Sequence, residues 1–258
     1  MKDLHNLQTL KKKTNILILC GGIGSRISKV TKKIPKPLIK VKQKPFLYFL
    51  IKNLSRYNFD NFYLLTYYKN EEFIKFKSKY EKKLNIKIKI IKEPKKLDTG
   101  GAVINAIKKI KNSSEFILLN GDTYLDIDFD KAYLDFKQKN EIFMPLIKSS
   151  KESKKLNGIS INKDNQIIIS KKNKLMNSGI YFFKKKNIKK FMKYNKCSFE
   201  NFIIEQSIIS KKVYGQICDN HFIDIGSYSS LKKLDIFIEN YFYNKKNIIL
   251  RQRQYFDL

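Results

Sequence analysis

Residues 16–38 read ILILCGGIGSRISKVTKKIPKPL, an apolar strand running straight into an anion-binding turn. Residues 16–19 form a short apolar run, the pattern of a strand buried on both faces. The chain then passes through Cys20-Gly21-Gly22-Ile23-Gly24-Ser25-Arg26. Glycines at 21, 22 and 24 allow a sharp turn whose N–H groups face a ligand without side-chain obstruction. Arg26 adds a permanent cation with forked donors beside that nest. Further on, Pro35-Lys36-Pro37-Leu38 holds a lysine between two prolines. Fixed φ angles stiffen this segment and aim the charge. The glycines alone also fit a plain turn after a strand, but with Arg26 and Lys36 the stretch reads as a phosphate cradle.

Two familiar phosphate loops do not fit. No lysine follows a glycine at P-loop spacing, and a dinucleotide fingerprint begun at Gly22 would end on Ile27. The region about 20 residues beyond is lysine-rich, with no acid to hold a ribose.

The chain has 258 residues and a net charge of +31, with 42% hydrophobic residues, enough for a sizeable core. Such charge invites a nucleic-acid reading. Against it, only four of the 54 basic residues are arginine, and the lysines are spread along an Ile-, Asn-, Tyr- and Phe-rich chain. An AT-rich coding bias accounts for that mixture, with lysines on solvated faces. The expectation is no nucleic-acid partner, although the charge should attract phosphorylated substrates at low salt. Three widely spaced cysteines and two histidines argue against a disulfide framework and a histidine metal site. No apolar run is long enough for a membrane span. The basic 11–13 segment precedes too short a run for a signal peptide. A cytoplasmic protein without a membrane partner is expected.

Residues 1–14 are polar and read as a loose extension, with a main domain over 15–245 and a C-terminal tail over 246–258. Strands are predicted over 15–19, 61–67, 86–90 and 116–119. Helices are predicted over 45–57 and 71–80, and through Ala102 to Ile110 with Thr99 as cap. This alternation predicts an α/β fold, a Rossmann-like, mostly parallel sheet with helices on both faces. Ligands of such sheets sit beyond the carboxyl ends of the strands, where the 21–26 loop and Gly121-Asp122 both fall. The second half changes character. Residues 158–161 and 166–170 flank Lys163-Asp164-Asn165 as a hairpin. Further elements are a strand over 180–183, a helix over 199–210, a short strand Phe222–Asp224, and a helix capped by Ser227. No hexapeptide repeat calls for a β-helix domain.

Asp122 and Asp224 each stand at a strand end beside a glycine. Alone, each fits a turn or capping acid. Brought together on one rim they would repel unless a cation lay between them, and Mg²⁺ accepts one or two carboxylates plus phosphate oxygens. Asp98-Thr99-Gly100-Gly101 is a second glycine turn. Its backbone suits either reading a base edge or close helix packing.

The series LCGGIGSR, PKPL, LDTGGA, NGDT, NSGIY and FIDIG resembles the sugar-1-phosphate nucleotidyltransferases over about residues 15–240. The likeness is nearest to D-glycero-α-D-manno-heptose 1-phosphate guanylyltransferases, then to mannose-1-phosphate guanylyltransferases. The resemblance implies that Gly21, Gly22, Gly24, Ser25 and Arg26 hold a triphosphate and that Lys36 meets the reacting phosphates. It implies that Thr99, Gly100 and Gly101 line the base and ribose pocket, that Asp122 and Asp224 hold Mg²⁺, and that Asn177 and Gly179 meet the acceptor sugar. The implied substrates are an NTP, GTP by this likeness, and a sugar 1-phosphate, in a reaction that feeds surface polysaccharide synthesis. Homo-oligomerisation is left open. So are a uridylyl-, thymidylyl- or cytidylyltransferase, and a regulatory module that keeps only the fold. Two departures stand out. Relatives usually carry glycine where this chain has Asp98, an acid that could accept from guanine's N1–H and 2-amino group or simply sit in solvent. They also carry a Glu-Lys pair before the Asn-x-Gly segment, where this chain has Ser170-Lys171-Lys172-Asn173, leaving Lys172 as a candidate acceptor-phosphate contact. An anionic acceptor needs no general base, which suits a chain nearly free of histidine.

Overall fold

The computed structural model describes residues 11, 13–31, 34–148, 158–170, 175–219 and 221–243. Strand β1 (Asn15–Leu19) leads through a 3₁₀ turn, Ser25–Ile27, and one helical turn, Ser28–Thr31, to a second 3₁₀ turn, Lys36–Leu38. A small ribbon follows, β2 (Lys40–Val41) and β3 (Lys44–Pro45), then α1 (Phe46–Ser55), β4 (Asn61–Thr66), α2 (Asn70–Leu84) and β5 (Lys87–Lys92). Next come α3 (Asp98–Lys109), β6 (Glu115–Asn120), β7 (Thr123–Leu125), α4 (Phe129–Lys139) and β8 (Ile142–Lys148). The second half carries β9 (Ile159–Ile161), β10 (Ile167–Ile169), β11 (Leu175–Asn177) and β12 (Ile180–Lys184). A π-helical segment, Phe199–Ile204, runs into α5 (Glu205–Ile209); β13 (Val213–Cys218), β14 (Phe222–Asp224) and α6 (Tyr228–Ile238) follow.

Ten strands form one sheet in the order β10-β9-β11-β8-β12-β6-β1-β4-β5, with β13 alongside β8. Pairing is parallel through β6, β1, β4 and β5. Beyond β6 the direction reverses: β12 runs antiparallel, pairing Ile180 with Leu119 and Lys184 with Glu115. Parallel pairing returns between β13 and β8. The expected α/β architecture holds, as a mixed sheet that is parallel through β6, β1, β4 and β5.

Side chains alternate across the central strands and feed two cores. Ile16, Ile18, Ile117 and Leu119 face one side with α1, α2, α4 and α6. Leu17, Phe116 and Leu118 face the other with α3 and the 199–209 helix. At the open edge, β5 alternates buried isoleucines with exposed Lys87, Lys89 and Lys92, a row of charge that discourages edge-to-edge pairing.

Several boundaries differ from the sequence reading. Helix α2 runs on to Leu84, because Asn85 takes the left-handed conformation that ends it. Thr99 does not cap α3 with its side chain; Leu97 occupies the N-cap position, and Thr99 lies inside the first turn. The expected 199–210 helix begins as a π-helical turn, capped by Ser198 through the amide of Asn201. Lys11 and Thr14, expected in a loose extension, are packed: Lys11 Nζ reaches Asp130 at 2.5 Å and the Thr14 hydroxyl donates to Tyr133 at 3.1 Å. The hairpin around residues 163–165 and the Ser227 cap are present as expected. Residues 246–258, read as a tail, and Lys172 lie outside the described residues. Among the described residues no helix is long and apolar enough to cross a membrane.

Leu118 is fully buried at the middle of β6. Leu118→Ala should lower unfolding stability by about 2–5 kcal/mol, read as a fall in the urea midpoint at unchanged slope.

Candidate active site

The carboxyl ends of β1 and β6 open onto a cavity of about 190 Å³. Gly22, Gly24, Lys36, Thr99, Asn120, Gly121, Asp122 and Glu200 line it, with Leu19, Cys20 and Pro37. The sheet edge brings these parts together. Gly121 donates its N–H to the Leu19 carbonyl at 3.0 Å, so the turn after β6 lies directly against the end of β1. A Cβ at residue 121 would stand 2.4 Å from that oxygen, which only glycine avoids.

In the 21–26 loop, Gly24 has φ +69°, a conformation that favours glycine. Gly22 is exposed with no atom near its missing side chain, leaving its backbone open to a ligand. Gly21 instead backs onto the buried Glu93, whose Oε1 would lie 2.6 Å from a Cβ there. Ser25 opens the 3₁₀ turn that carries Arg26. Arg26 swings toward the turn after β14: its Nη2 lies 2.9 Å from where a Cβ on Gly226 would be.

The two aspartates meet on this rim. Ribbon pairing sets Asp224 opposite Thr123, and Ile225 donates its amide to the Asp122 carbonyl at 2.9 Å. Lys36, only 8% exposed, places Nζ 2.5 Å from Asp122 Oδ2. The proline-braced lysine was expected to aim its charge at a ligand; the Lys36–Leu38 turn that carries it is buried, and its ammonium lies against Asp122. Asp224 accepts the Gly226 amide at 2.7 Å. Burial, and then the charge of Asp122, push its carboxyl above the usual range, although Lys36 and Arg26 pull the other way. The pair is therefore short of positive charge. Two hard oxygen donors that repel one another suit Mg²⁺, which fills its shell with water and phosphate oxygens. No group of three or more His, Cys, Asp or Glu side chains gathers among the described residues. Burial and Asp122 push the Cys20 thiol well up, which leaves it protonated and a poor nucleophile.

The second glycine turn divides. Thr99 lines the cavity, but Gly100 and Gly101 both spend their amides on the Cys197 carbonyl, at 2.8 and 3.2 Å. Added Cβ atoms would meet Cys197 Sγ at 2.7 Å and the Asn195 carbonyl at 2.5 Å, so these glycines serve close packing and their amides do not open to a base. Asp98 has φ +59°, a conformation natural to glycine, and faces Lys196 at 3.9 Å outside the cavity lining. Asn177 folds onto its own turn, accepting the Gly179 amide at 2.8 Å and donating to the Tyr181 hydroxyl. Gly179 has φ +80° and gives its carbonyl to the Asn120 amide at 2.9 Å, beside the cavity. The sequence reading missed Asn120 and Glu200. Asn120 sits one residue before the quoted Gly121-Asp122, and Glu200 follows no motif at all.

A nucleotidyl transferase family model matches residues 15–240, nearly the whole cavity-bearing body. The chain belongs to that family. This nucleotidyltransferase is 35% identical to a D-glycero-α-D-manno-heptose 1-phosphate guanylyltransferase of Campylobacter jejuni, over 81% of this chain and 93% of the relative. A protein of the same name from Aneurinibacillus thermoaerophilus is 30% identical over 87% and 98%. A crystal structure of HddC from Yersinia pseudotuberculosis complexed with GMP-PN superimposes with TM-score 0.74 at 28% identity, over 87% of this chain and 99% of that one. A putative glucose-1-phosphate thymidylyltransferase from Bacillus anthracis shares the fold, with TM-score 0.77 at 17% identity.

The raised Asp224 carboxyl gives a stability test of this geometry in the free enzyme. Its contribution to stability is full below the unfolded value of about 3.9 and is lost as the pH rises through the folded value. Asp224→Asn keeps the Gly226 acceptor and removes the charge. The variant should melt above wild type at neutral pH, with the gap closing as the pH falls toward about 4. Equal melting at neutral pH would show that the two carboxylates do not repel.

Proposed function

We propose that this nucleotidyltransferase moves a nucleoside monophosphate from an NTP to a sugar 1-phosphate, releasing pyrophosphate and forming an NDP-sugar. The base is guanine and the acceptor a heptose or mannose 1-phosphate. One observation carries this reading: the glycine loop, Lys36 and Asp122 line one cavity, and β14 sets Asp224 beside the Asp122 turn. The two guanylyltransferase relatives and the GMP-PN complex support guanine and heptose.

An oxygen of the acceptor phosphate forms a bond to the α-phosphorus as the bond from that phosphorus to the bridging oxygen breaks. The attacking oxygen is already an anion, so no base removes a proton. The enzyme's part is to hold two anions together and to neutralise charge as it shifts to pyrophosphate. The open backbone at Gly22, with Gly21, Gly24, Ser25 and Arg26, would take the triphosphate. Lys36 has three N–H donors; one faces Asp122, and the others are free to serve phosphate oxygens. Asp122 and Asp224 would hold Mg²⁺, which supplies charge neutralisation at the phosphates when bound. Asn177 and Gly179 shape the wall on the acceptor side.

Pyrophosphate release across four NTPs and a panel of sugar 1-phosphates tests the reading. GTP with a heptose or mannose 1-phosphate should be turned over fastest; a faster pyrimidine nucleotide would overturn the base assignment. Lys36→Ala should cut turnover by about 10²–10³-fold and also lower the melting temperature, because it leaves Asp122 without its buried partner. Adding Asp122→Asn should restore much of the melting temperature and none of the turnover.

A further inference from the structure

Glu200 enters the cavity from the start of the 199–209 helix, across from the phosphate-binding loop. Hydroxyls hold its carboxylate. Thr99 donates to Oε2 at 2.8 Å, Tyr181 to Oε1 at 3.3 Å, and Ser198 stands at 3.5 Å. The Thr99 oxygen in turn accepts the Phe199 amide at 2.8 Å, and Asn177 donates to the Tyr181 oxygen. Every member of this chain is oriented, and it ends on an acid partly open to the cavity. A carboxylate has about four acceptor sites, so these three contacts leave capacity for a ligand. Nearby, Asn120 also lines the cavity, and its side-chain oxygen is buried without a partner among the described residues.

The Glu200 carboxylate is an acceptor with room for a donor. A phosphate offers none at neutral pH and would be repelled by Glu200. A sugar ring offers hydroxyl donors on every face. Lys36 lines the same cavity and holds its positive charge against Asp122. The cavity therefore combines a cation suited to phosphate with an acceptor suited to hydroxyls.

We infer that Glu200 is the specificity-determining residue for the acceptor, taking a hydroxyl of the sugar ring, with Asn120 beside it, and so fixing the end-to-end orientation of the sugar phosphate. This rests on the sugar 1-phosphate reading above. A site built to hydrogen-bond a hydroxyl rejects an analogue that lacks it, because its buried polar group is left unpaired.

The test uses the full chain, Glu200→Gln, and a set of singly deoxygenated sugar 1-phosphates. Glu200→Gln should raise the acceptor KM about tenfold or more, leave the GTP KM within about twofold, and leave melting unchanged. Wild type should lose about tenfold in kcat/KM on one deoxy analogue, whereas the variant loses little more on that analogue than on the parent sugar. An equal rise in GTP KM would overturn the inference, since Glu200 would then act through Thr99 on the nucleotide. So would equal deoxy penalties in both proteins. A wild type that turns over no sugar 1-phosphate overturns the parent reading and this inference together. Turnover by wild type with unchanged Glu200→Gln kinetics overturns the inference alone.

Discussion

The ion pair between Lys36 and Asp122 is the interaction on which the rest of the site depends. Two carboxylates, Asp122 and Asp224, approach each other on one rim, and their mutual repulsion works against folding. Charge from elsewhere must offset it. Lys36 does so from the loop after β1, 86 residues away in sequence, and Arg26 approaches Gly226 from the same loop. The pair also ties the turn after β1 to the turn after β6. Its ammonium is buried, so the segment that carries it cannot wander: Pro35 and Pro37 fix the backbone, and the Leu38 amide closes on the Pro35 carbonyl at 2.8 Å. The stiff segment read in the sequence is a buried plug that places a cation against Asp122 in the cavity wall.

Sheet direction explains how turns from the two halves of the chain come to share one cavity. The parallel strands β1, β4, β5 and β6 bring their carboxyl ends, and therefore their loops, to one edge. Strand β12 pairs antiparallel with β6, so its amino end lies at that same edge. The Asn177–Gly179 turn that opens β12 thus lands beside Asn120, one residue before the turn that carries Asp122. A further parallel strand in that position would have put its amino-terminal connection at the opposite edge. The reversal after β6 is thus what lets the second half of the chain contribute to the cavity.

The first half of the fold was legible because its signals are local. An apolar run such as ILIL, or the Lys-Ile alternation of β5, states its own burial pattern. The glycine loop and the Asp122 turn were legible for the same reason. Elsewhere the deciding contact lies far off in sequence. Strand β8 escaped notice because Pro145 interrupts an apolar run, which normally argues against a central strand. Here the Pro145 carbonyl accepts from the Ser178 hydroxyl at 2.8 Å, and β13 still pairs alongside. Gly100 and Gly101 resembled a ligand-binding turn, since sequence cannot distinguish a glycine that clears space for a base from one that clears space for Cys197. Glu200 gave no signal, because a glutamate at a helix start is common and its partners lie about 20 and 100 residues away.

The packing of these glycines and the placement of Glu200 have a single physical origin. Gly100 and Gly101 allow the start of α3 to press against residues 195–199 until their amides reach one carbonyl. The same approach brings the Thr99 hydroxyl between the Phe199 amide and the Glu200 carboxylate. A side chain at either glycine would hold the two helix starts apart and break both contacts. The glycines therefore act on the cavity at one remove, through the residues on either side of the seam they close. Their requirement for smallness and the placement of Glu200 are two consequences of one close approach. The structure makes that link through backbone atoms, and no residue-by-residue reading of the sequence contains it.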